Sequence, residues 1–139
     1  MESEETVVLL KPDTVRRRLI GEILARFERA GLSIVELHMG KPERGFWERW
    51  YADVQERHGD DVFKNQVNFM CSGPVVAVVL HGDDAVERAR MLIGKTQPRD
   101  ARPGTIRGDF GAALPQNLVH ASDSPEAVER EDALVRALL

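Results

Sequence analysis

The segment VVAVVL, Val75–Leu80, is the most apolar run in the chain and the starting point for its fold. It is long enough for a central strand and too short for an ordinary helix. The turn-forming segment CSGP, 71–74, precedes it, and Gly82, Asp83 and Asp84 turn the chain after it. The pattern predicts a central strand between two loops.

Three other short segments on either side of this run predict the remaining strands. The first is apolar and stops at a Lys-Pro-Asp turn, the second alternates moderately clearly, and the third is a minimal run that ends on a histidine. In chain order they are TVVLL (6–10), LSIVELHM (32–39) and NLVH (117–120).

Helical spacing fills most of the intervals between these strands. The helix after the first strand is expected to have Asp13 or Thr14 as its cap and Gly31 as its terminator. Two helices are expected before VVAVVL, one follows it, and Pro125 suits the first turn of a last helix. The stripes are Ile20, Ile23, Leu24 and Phe27; Trp47, Trp50, Tyr51 and Val54; the segment 62–69; and Ala85, Ala89, Leu92 and Ile93.

The resulting order of elements is βαββαβ with an extra helical hairpin between the second and third strands. This order predicts an α+β, ferredoxin-like sandwich, in which helices pack on a mostly antiparallel four-stranded sheet. We expect residues 1–139 to form one domain, because the length is near the commonest domain size.

Composition excludes several classes of protein. The chain is 42% hydrophobic and 30% charged, which argues against disorder, and its net charge of −4 offers no general attraction to nucleic acid or an acidic membrane. Its single cysteine, Cys71, excludes an internal disulfide framework and suits a reducing compartment. No membrane span and no basic leader are evident, so we expect a cytoplasmic protein without nucleic-acid or membrane partners.

The segment 95–116 shows no periodicity and carries several threonines and arginines, which indicates an anion site. No P-loop, dinucleotide fingerprint, protein-kinase signature or zinc spacing occurs in the chain. Phosphates would therefore be bound by side chains from several elements, since arginine suits phosphate oxygens. The candidates are Lys11, Arg90, Thr96, Arg107, Asn117 and His120.

His120 is the candidate nucleophile at the end of the last strand. A neutral imidazole can attack a terminal phosphoryl group and hold it covalently. Its other ring nitrogen then needs an acceptor, and we expect a carboxylate from the next helix. Glu129 and Glu131 both remain candidates on this reasoning.

Four motifs carry a resemblance to the nucleoside diphosphate kinase family. They are KPDTVRRRLIGEI, SGPVVAVVL, PGTIRGDFG and NLVHASDS, and the match extends over about 6–131 with one insertion. The resemblance implies transfer of the γ-phosphate of a nucleoside triphosphate to a nucleoside diphosphate, by a ping-pong route through a phosphohistidine. It also implies Mg²⁺ held mainly by the phosphates, and a homo-oligomer that is usually a hexamer and sometimes a tetramer.

The same resemblance implies a role for each matching residue. His120 is the phosphorylated residue and Glu131, rather than Glu129, orients it. Lys11 and Asn117 bind the sugar hydroxyl and assist transfer. The other matching residues are Arg90, Thr96 and Arg107 for the phosphates, Tyr51 beside the histidine, and Ser122 near the glutamate.

This chain departs from the family pattern in two places. Where the family has a phenylalanine on which the base stacks, this chain has Val62, with Phe63 next to it. Thr14 and Arg18 stand where glycines are common, so the turn after the first strand is expected to differ. The altered base platform also favours an alternative, a catalytically weakened nucleotide-binding or interaction module.

Overall fold

Four strands and eight α-helices make up the computed structural model, which describes residues 3–112 and 115–137. The strands are β1 (Ser3–Leu10), β2 (Ser33–Gly40), β3 (Val75–Asp83) and β4 (Val119–Ala121). The α-helices are α1 (Pro12–Arg16), α2 (Ile20–Arg29), α3 (Arg44–Trp50), α4 (Ala52–His58), α5 (Asp60–Met70), α6 (Ala85–Ile93), α7 (Ile106–Phe110) and α8 (Pro125–Arg136). A short 3₁₀ helix spans Pro98–Asp100.

The strands form one sheet in the order β2–β3–β1–β4, and each neighbouring pair is antiparallel. The apolar run Val75–Leu80 lies in β3, between β2 and β1, so the prediction of a central strand is confirmed. Three helices, α3, α4 and α5, follow β2, so the prediction of two helices here is wrong. The expected helical stripe over 47–54 is divided because Tyr51, with φ −101° and ψ 16°, lies outside the α-helical conformation and ends α3. The predicted α+β class with a four-stranded antiparallel sheet is therefore confirmed.

The two faces of the sheet contact two different hydrophobic clusters. Successive side chains of a strand point to opposite faces, so Val8 and Leu10 belong to one cluster and Val7 and Leu9 to the other. The first cluster includes Ile23 and Phe27 of α2 and Ala85, Ala89 and Ile93 of α6. The second includes Phe46, Trp47 and Trp50 of α3, Phe63 and Val67 of α5, and Val135 of α8. Helices therefore cover both faces of the central strands.

The single helix expected after β1 is wrong, because the structure divides it into α1 and α2. Arg18 lies in the break with a φ of 60°, in the left-handed region that glycine adopts more easily. Neither Asp13 nor Thr14 is the cap of α1, which begins after Lys11 without a side-chain cap bond. Their side chains instead bond the peptide groups of Leu118.

The long segment before β4 is not without structure, contrary to its sequence pattern. It contains the 3₁₀ helix and α7, which are too short to show a hydrophobic period. Thr105 caps α7, since its hydroxyl accepts a hydrogen bond from the Gly108 amide at 3.0 Å. Arg26 of α2 holds this helix through an ion pair of 2.8 Å with Asp109. Helix α7 is thus held against α2.

Candidate active site

His120 and Glu131 form the centre of the site. Residue His120 lies in β4 opposite Leu9, and Glu131 lies on the following helix, α8. The distance from His120 Nε2 to Glu131 Oε1 is 2.9 Å, and the Ser122 hydroxyl donates to the same oxygen at 2.7 Å. The Glu131 side chain is 4% exposed and that of His120 is 29% exposed. The carboxylate is thus buried behind an imidazole that reaches solvent.

This hydrogen bond decides which ring nitrogen of His120 is available for chemistry. A carboxylate has no proton to donate, so His120 Nε2 carries the shared proton. In the neutral imidazole, the lone pair is then on Nδ1. The hydrogen bond therefore leaves the Nδ1 lone pair of His120 unengaged by Glu131, on the opposite side of the ring from the carboxylate.

A strained turn at Leu118 directs the chain into β4. Leu118 has a φ of 75°, a conformation that costs a bulky residue about 1–3 kcal/mol. Three hydrogen bonds hold its peptide groups: Lys11 N and Thr14 Oγ1 each donate to the Leu118 carbonyl at 2.8 Å, and the Leu118 amide donates to Asp13 Oδ2 at 3.0 Å. The start of α1 thus fixes the backbone two residues before His120.

Lys11 and Asn117 form a second, almost completely buried pair. The Lys11 ammonium donates to Asn117 Oδ1 at 2.8 Å and to the Pro115 carbonyl at 3.2 Å. The Asn117 amide nitrogen donates to the Thr96 carbonyl at 3.0 Å. Burial lowers the pKa of Lys11 from 10.5 to about 8, with Asp13 opposing this shift and Arg107 reinforcing it. Lys11 is therefore a cation whose charge is sensitive to mildly alkaline pH.

A pH profile tests the charge of Lys11. We expect kcat/KM of the phosphotransfer that the sequence resemblance implies to fall above about pH 8, because the free protein loses the Lys11 ammonium there. The free energy of unfolding changes with pH in the opposite direction to kcat/KM. The pKa of Lys11 is about 8 in the folded protein and 10.5 in the unfolded chain, so the unfolded chain binds more protons between these two values. The free energy of unfolding therefore rises with pH from about 8 to 10.5. A kcat/KM that stays constant through this range in steady-state assays would contradict the expectation.

Arg107 connects three segments, and we use the term cleft for the cationic group that it forms with Lys11, Asn117 and Arg90. Its guanidinium donates to the carbonyls of Asn117 at 3.2 Å, Gly94 at 3.0 Å and Val119 at 2.5 Å. A guanidinium has five N–H donors, so two of them have no acceptor among residues 3–112 and 115–137. Burial, followed by the charge of Arg90, lowers the pKa of Arg107 from 12.5 to about 10. Two cations held close together in this way fit a polyanionic ligand.

The remaining residues expected in the site differ in exposure. Arg90 on α6 and Thr96 are exposed. Tyr51 is buried among aromatic side chains, and burial together with the charge of Glu131 raises the pKa of its hydroxyl. Of the two candidates for a base platform, Phe63 is buried in the hydrophobic cluster and Val62 is 42% exposed. Only the Val62 side chain is therefore available to a ligand in this conformation.

Sequence reasoning missed several residues around the site. Trp50 contacts the His120 ring, Arg130 contacts Glu131, and the Phe69 ring lies 5.7 Å from the Lys11 ammonium. The sequence pattern places Trp50 in an apolar helical stripe, and Trp50 is indeed buried in a hydrophobic cluster, but the pattern does not reveal its contact with His120. The signal that could have indicated this contact is the position of Trp50 in the sequence, next to the candidate site residue Tyr51.

The α+β sandwich and the cationic group next to the strand that carries His120 have the features of a phosphotransferase. The family model described as nucleoside diphosphate kinase matches residues 4–136. The chain belongs to the nucleoside diphosphate kinase family, whose reaction transfers the terminal phosphate of a nucleoside triphosphate to a nucleoside diphosphate.

Similar proteins support this membership over most of the chain. The nucleoside diphosphate kinase of Saccharolobus solfataricus is 48% identical over 134 residues, 96% of this chain and 95% of that protein. That of Methanocaldococcus jannaschii is 47% identical over 128 residues, 92% of this chain and 89% of that protein.

Two solved structures have the same fold. The enzyme of Borrelia burgdorferi, described as a transition state mimic with bound vanadate and ADP, has a TM-score of 0.90 and 34% identity, covering 95% of this chain and 86% of that chain. The apo enzyme of Encephalitozoon cuniculi has a TM-score of 0.89 and 40% identity, and the match covers 94% of this chain and 87% of that chain.

Proposed function

We propose that this phosphotransferase works by a ping-pong mechanism in which His120 carries the phosphate. In the first half-reaction, the Nδ1 lone pair forms a bond to the γ-phosphorus, and the bond from that phosphorus to the β–γ bridging oxygen breaks. The electron pair of the broken bond stays on the bridging oxygen and leaves with the nucleoside diphosphate. In the second half-reaction, a terminal phosphate oxygen of another diphosphate attacks the phosphorus and His120 leaves. The hydrogen bond from Nε2 to Glu131 is the observation that carries this proposal.

Glu131 and Ser122 support His120 in this mechanism. When Nδ1 bonds to phosphorus, positive charge develops on the imidazole ring, and the Glu131 carboxylate offsets it through Nε2. The bond from Ser122 to Glu131 keeps the carboxylate in place. We assign Tyr51, whose hydroxyl lies within the field of Glu131, to the same support of the histidine.

The cations of the cleft bind the nucleotide phosphates. Arg107 has unused N–H donors, and Arg90 is close enough to act on its pKa. Lys11 and Asn117 are joined by a hydrogen bond and bind the sugar hydroxyl and the transferring phosphate. Thr96, whose carbonyl is held by Asn117, completes this set. Such fixed donors stabilise the transition state without reorganising during the reaction.

Phosphoryl transfer from nucleotides generally needs a divalent cation, and we propose Mg²⁺. The donor set of the cleft is cationic, through Lys11, Arg90 and Arg107, so it matches phosphate oxygens rather than a metal ion. We therefore expect the ion to be held mainly by the phosphates of the nucleotide. When bound, it offsets phosphate charge.

The base platform is assigned to Val62 on α5. Val62, Gln66 and Phe69 are spaced i, i+4 and i+7, so they lie on one face of α5. Phe69 packs under the Lys11 ammonium at 5.7 Å, which orients this face toward the Lys11 side of the cleft. An aliphatic side chain lacks a π-face for the base, so base binding is expected to be weak and to discriminate little between bases.

Restoring an aromatic residue tests this assignment. Val62→Phe is expected to lower the Kd for ADP about fivefold, because stacking on an aromatic ring adds about 1 kcal/mol or more. Val62→Leu is the matched control, since it enlarges the side chain without adding a ring. Calorimetry measures both Kd values. An equal Kd for ADP in the two variants would contradict the assignment of the base platform to Val62. Phe63→Ala is unsuitable here because it opens a cavity in the core.

Val62 also favours a second candidate, a nucleotide-binding or interaction module with weakened catalysis. Label transfer separates the two functions. The protein is incubated with ATP labelled at the γ-phosphate, freed of nucleotide, and mixed with GDP. The kinase retains acid-labile phosphate and passes it to GDP, whereas a binding module binds ADP and retains no label.

We also propose that the protein is a cytoplasmic homo-oligomer, a hexamer or a tetramer, without nucleic-acid partners. Strand β2 lies at the edge of the sheet and exposes Val35, Leu37 and Met39 by 47%, 56% and 53%. An apolar edge strand of this kind favours pairing with a second copy. In residues 3–112 and 115–137, none of the helices has the length and apolarity to span a membrane. The net charge of −4 opposes nucleic-acid binding.

A further inference from the structure

Trp50 contacts the candidate nucleophile from the aromatic side of the core. Its ring centroid lies 5.4 Å from that of His120, and the two ring planes meet at 73°. This edge-to-face arrangement is a favourable geometry for aromatic rings. Trp50 is 2% exposed, so the contact is made by a side chain fixed in the interior.

The position of Trp50 is itself fixed by other aromatic rings. Phe46 lies 5.8 Å from Trp50 with an interplanar angle of 32°, and Trp47 lies 6.0 Å away at 75°. All three residues are in α3, with Trp50 at its last position. The helix therefore delivers a rigid ring to His120.

Arg130 connects Trp50 to the carboxylate on the other side of the histidine. Arg130 Nη1 donates to the Trp50 carbonyl at 3.4 Å, and Nη2 donates to Glu131 Oε2 at 3.3 Å. Glu131 thus gives one oxygen to His120 and the other to Arg130. The two groups that contact the imidazole are joined through one guanidinium.

We propose that Trp50 is a positioning residue for His120, with Arg130 tying it to Glu131. The proposal rests on the proposed role of His120 as nucleophile. The second side-chain torsion of histidine has a broad energy profile, so a single hydrogen bond at Nε2 leaves the ring free to tilt. Contact with the Trp50 ring removes this freedom and keeps Nδ1 in line with the phosphorus in both half-reactions.

The test compares an aromatic with an aliphatic replacement. Trp50→Leu is expected to lower the single-turnover rate of His120 phosphorylation about three- to tenfold, and Trp50→Phe is expected to retain most of the rate. The Kd for ADP stays the same in both variants, because Trp50 acts on the histidine and not on the nucleotide. Arg130→Gln, at a half-exposed side chain, is expected to lower the same rate by a smaller factor, and Arg130→Lys to restore part of it.

Trp47 provides the matched control, because it lies in the same cluster, is completely buried, and is the other tryptophan of the chain. Because Trp47→Phe keeps an aromatic ring beside Trp50, it is expected to lower the free energy of unfolding without a comparable loss of phosphorylation rate in the folded fraction. Equal rates in Trp50→Leu and the wild type, or equal losses in Trp50→Leu and Trp50→Phe, would overturn the proposal. If Trp50→Leu does not fold, a wild-type rate in Arg130→Gln overturns it. Failure of the wild type to take up phosphate would instead refute the role of His120.

Discussion

Replacing His120 with alanine is expected to abolish labelling by γ-labelled ATP and to lower kcat by at least about 10⁴-fold. The reason is that no other group in the site offers the Nδ1 lone pair, so the covalent half-reactions have no acceptor. The fold should persist, because the His120 side chain is 29% exposed and is not part of either hydrophobic cluster. The Kd for ADP should change little, since Lys11, Arg90 and Arg107 are retained.

His58→Ala is the control for this substitution. His58 is an exposed histidine at the end of α4, and its loss should leave labelling and turnover unchanged. Persistent labelling in His120→Ala would show that another residue carries the phosphate. Circular dichroism of both variants separates loss of chemistry from loss of structure.

Glu131→Gln is expected to lower kcat by about 10²-fold, because a neutral amide no longer offsets the charge that develops on the imidazole. The substitution preserves the shape of the side chain, which matters because Glu131 is 3% exposed. It also replaces a carboxylate that accepts hydrogen bonds from both His120 and Ser122. The effect should therefore fall on the rate of phosphorylation and leave the Kd for ADP nearly unchanged.

The same helix supplies the control, Glu129→Gln. Glu129 is exposed and was the other candidate from sequence spacing alone, so its variant should retain the wild-type rate. Single-turnover labelling distinguishes the two variants directly. A similar loss in both would mean that the general negative charge of α8, and not the bond to His120, supports the reaction.

The sequence predicted the sheet more completely than the helices. The runs at 6–10 and 75–80 are apolar because both faces of β1 and β3 are covered, and a continuous apolar run reports that burial directly. The break at Arg18 was not predictable from periodicity. The adjacent residues suit a helix, and a hydrophobic pattern carries no information about the positive φ of Arg18. Helix α7 was missed because five residues show no period.

The site was predicted as a set of residue types, and its geometry was not. Family resemblance picked out Glu131 over Glu129, and the spacing of eleven residues from His120 agrees with the hydrogen bond found. The hydrogen bonds that hold Leu118 join residues more than 100 positions apart in the sequence, namely Leu118 with Thr14 and Leu118 with Asp13. Contacts of Trp50 and Arg130 likewise depend on the docking of α3 against α8, which no local pattern encodes.

The most direct test of the mechanism is the position of the phosphate on the imidazole ring. Protein labelled with ¹⁵N-histidine is phosphorylated by ATP, and long-range ¹H–¹⁵N correlation spectra identify the substituted nitrogen. Because Glu131 holds Nε2 at 2.9 Å, the phosphate is expected on Nδ1 of His120. Phosphate on Nε2, or on a residue other than His120, would contradict the mechanism.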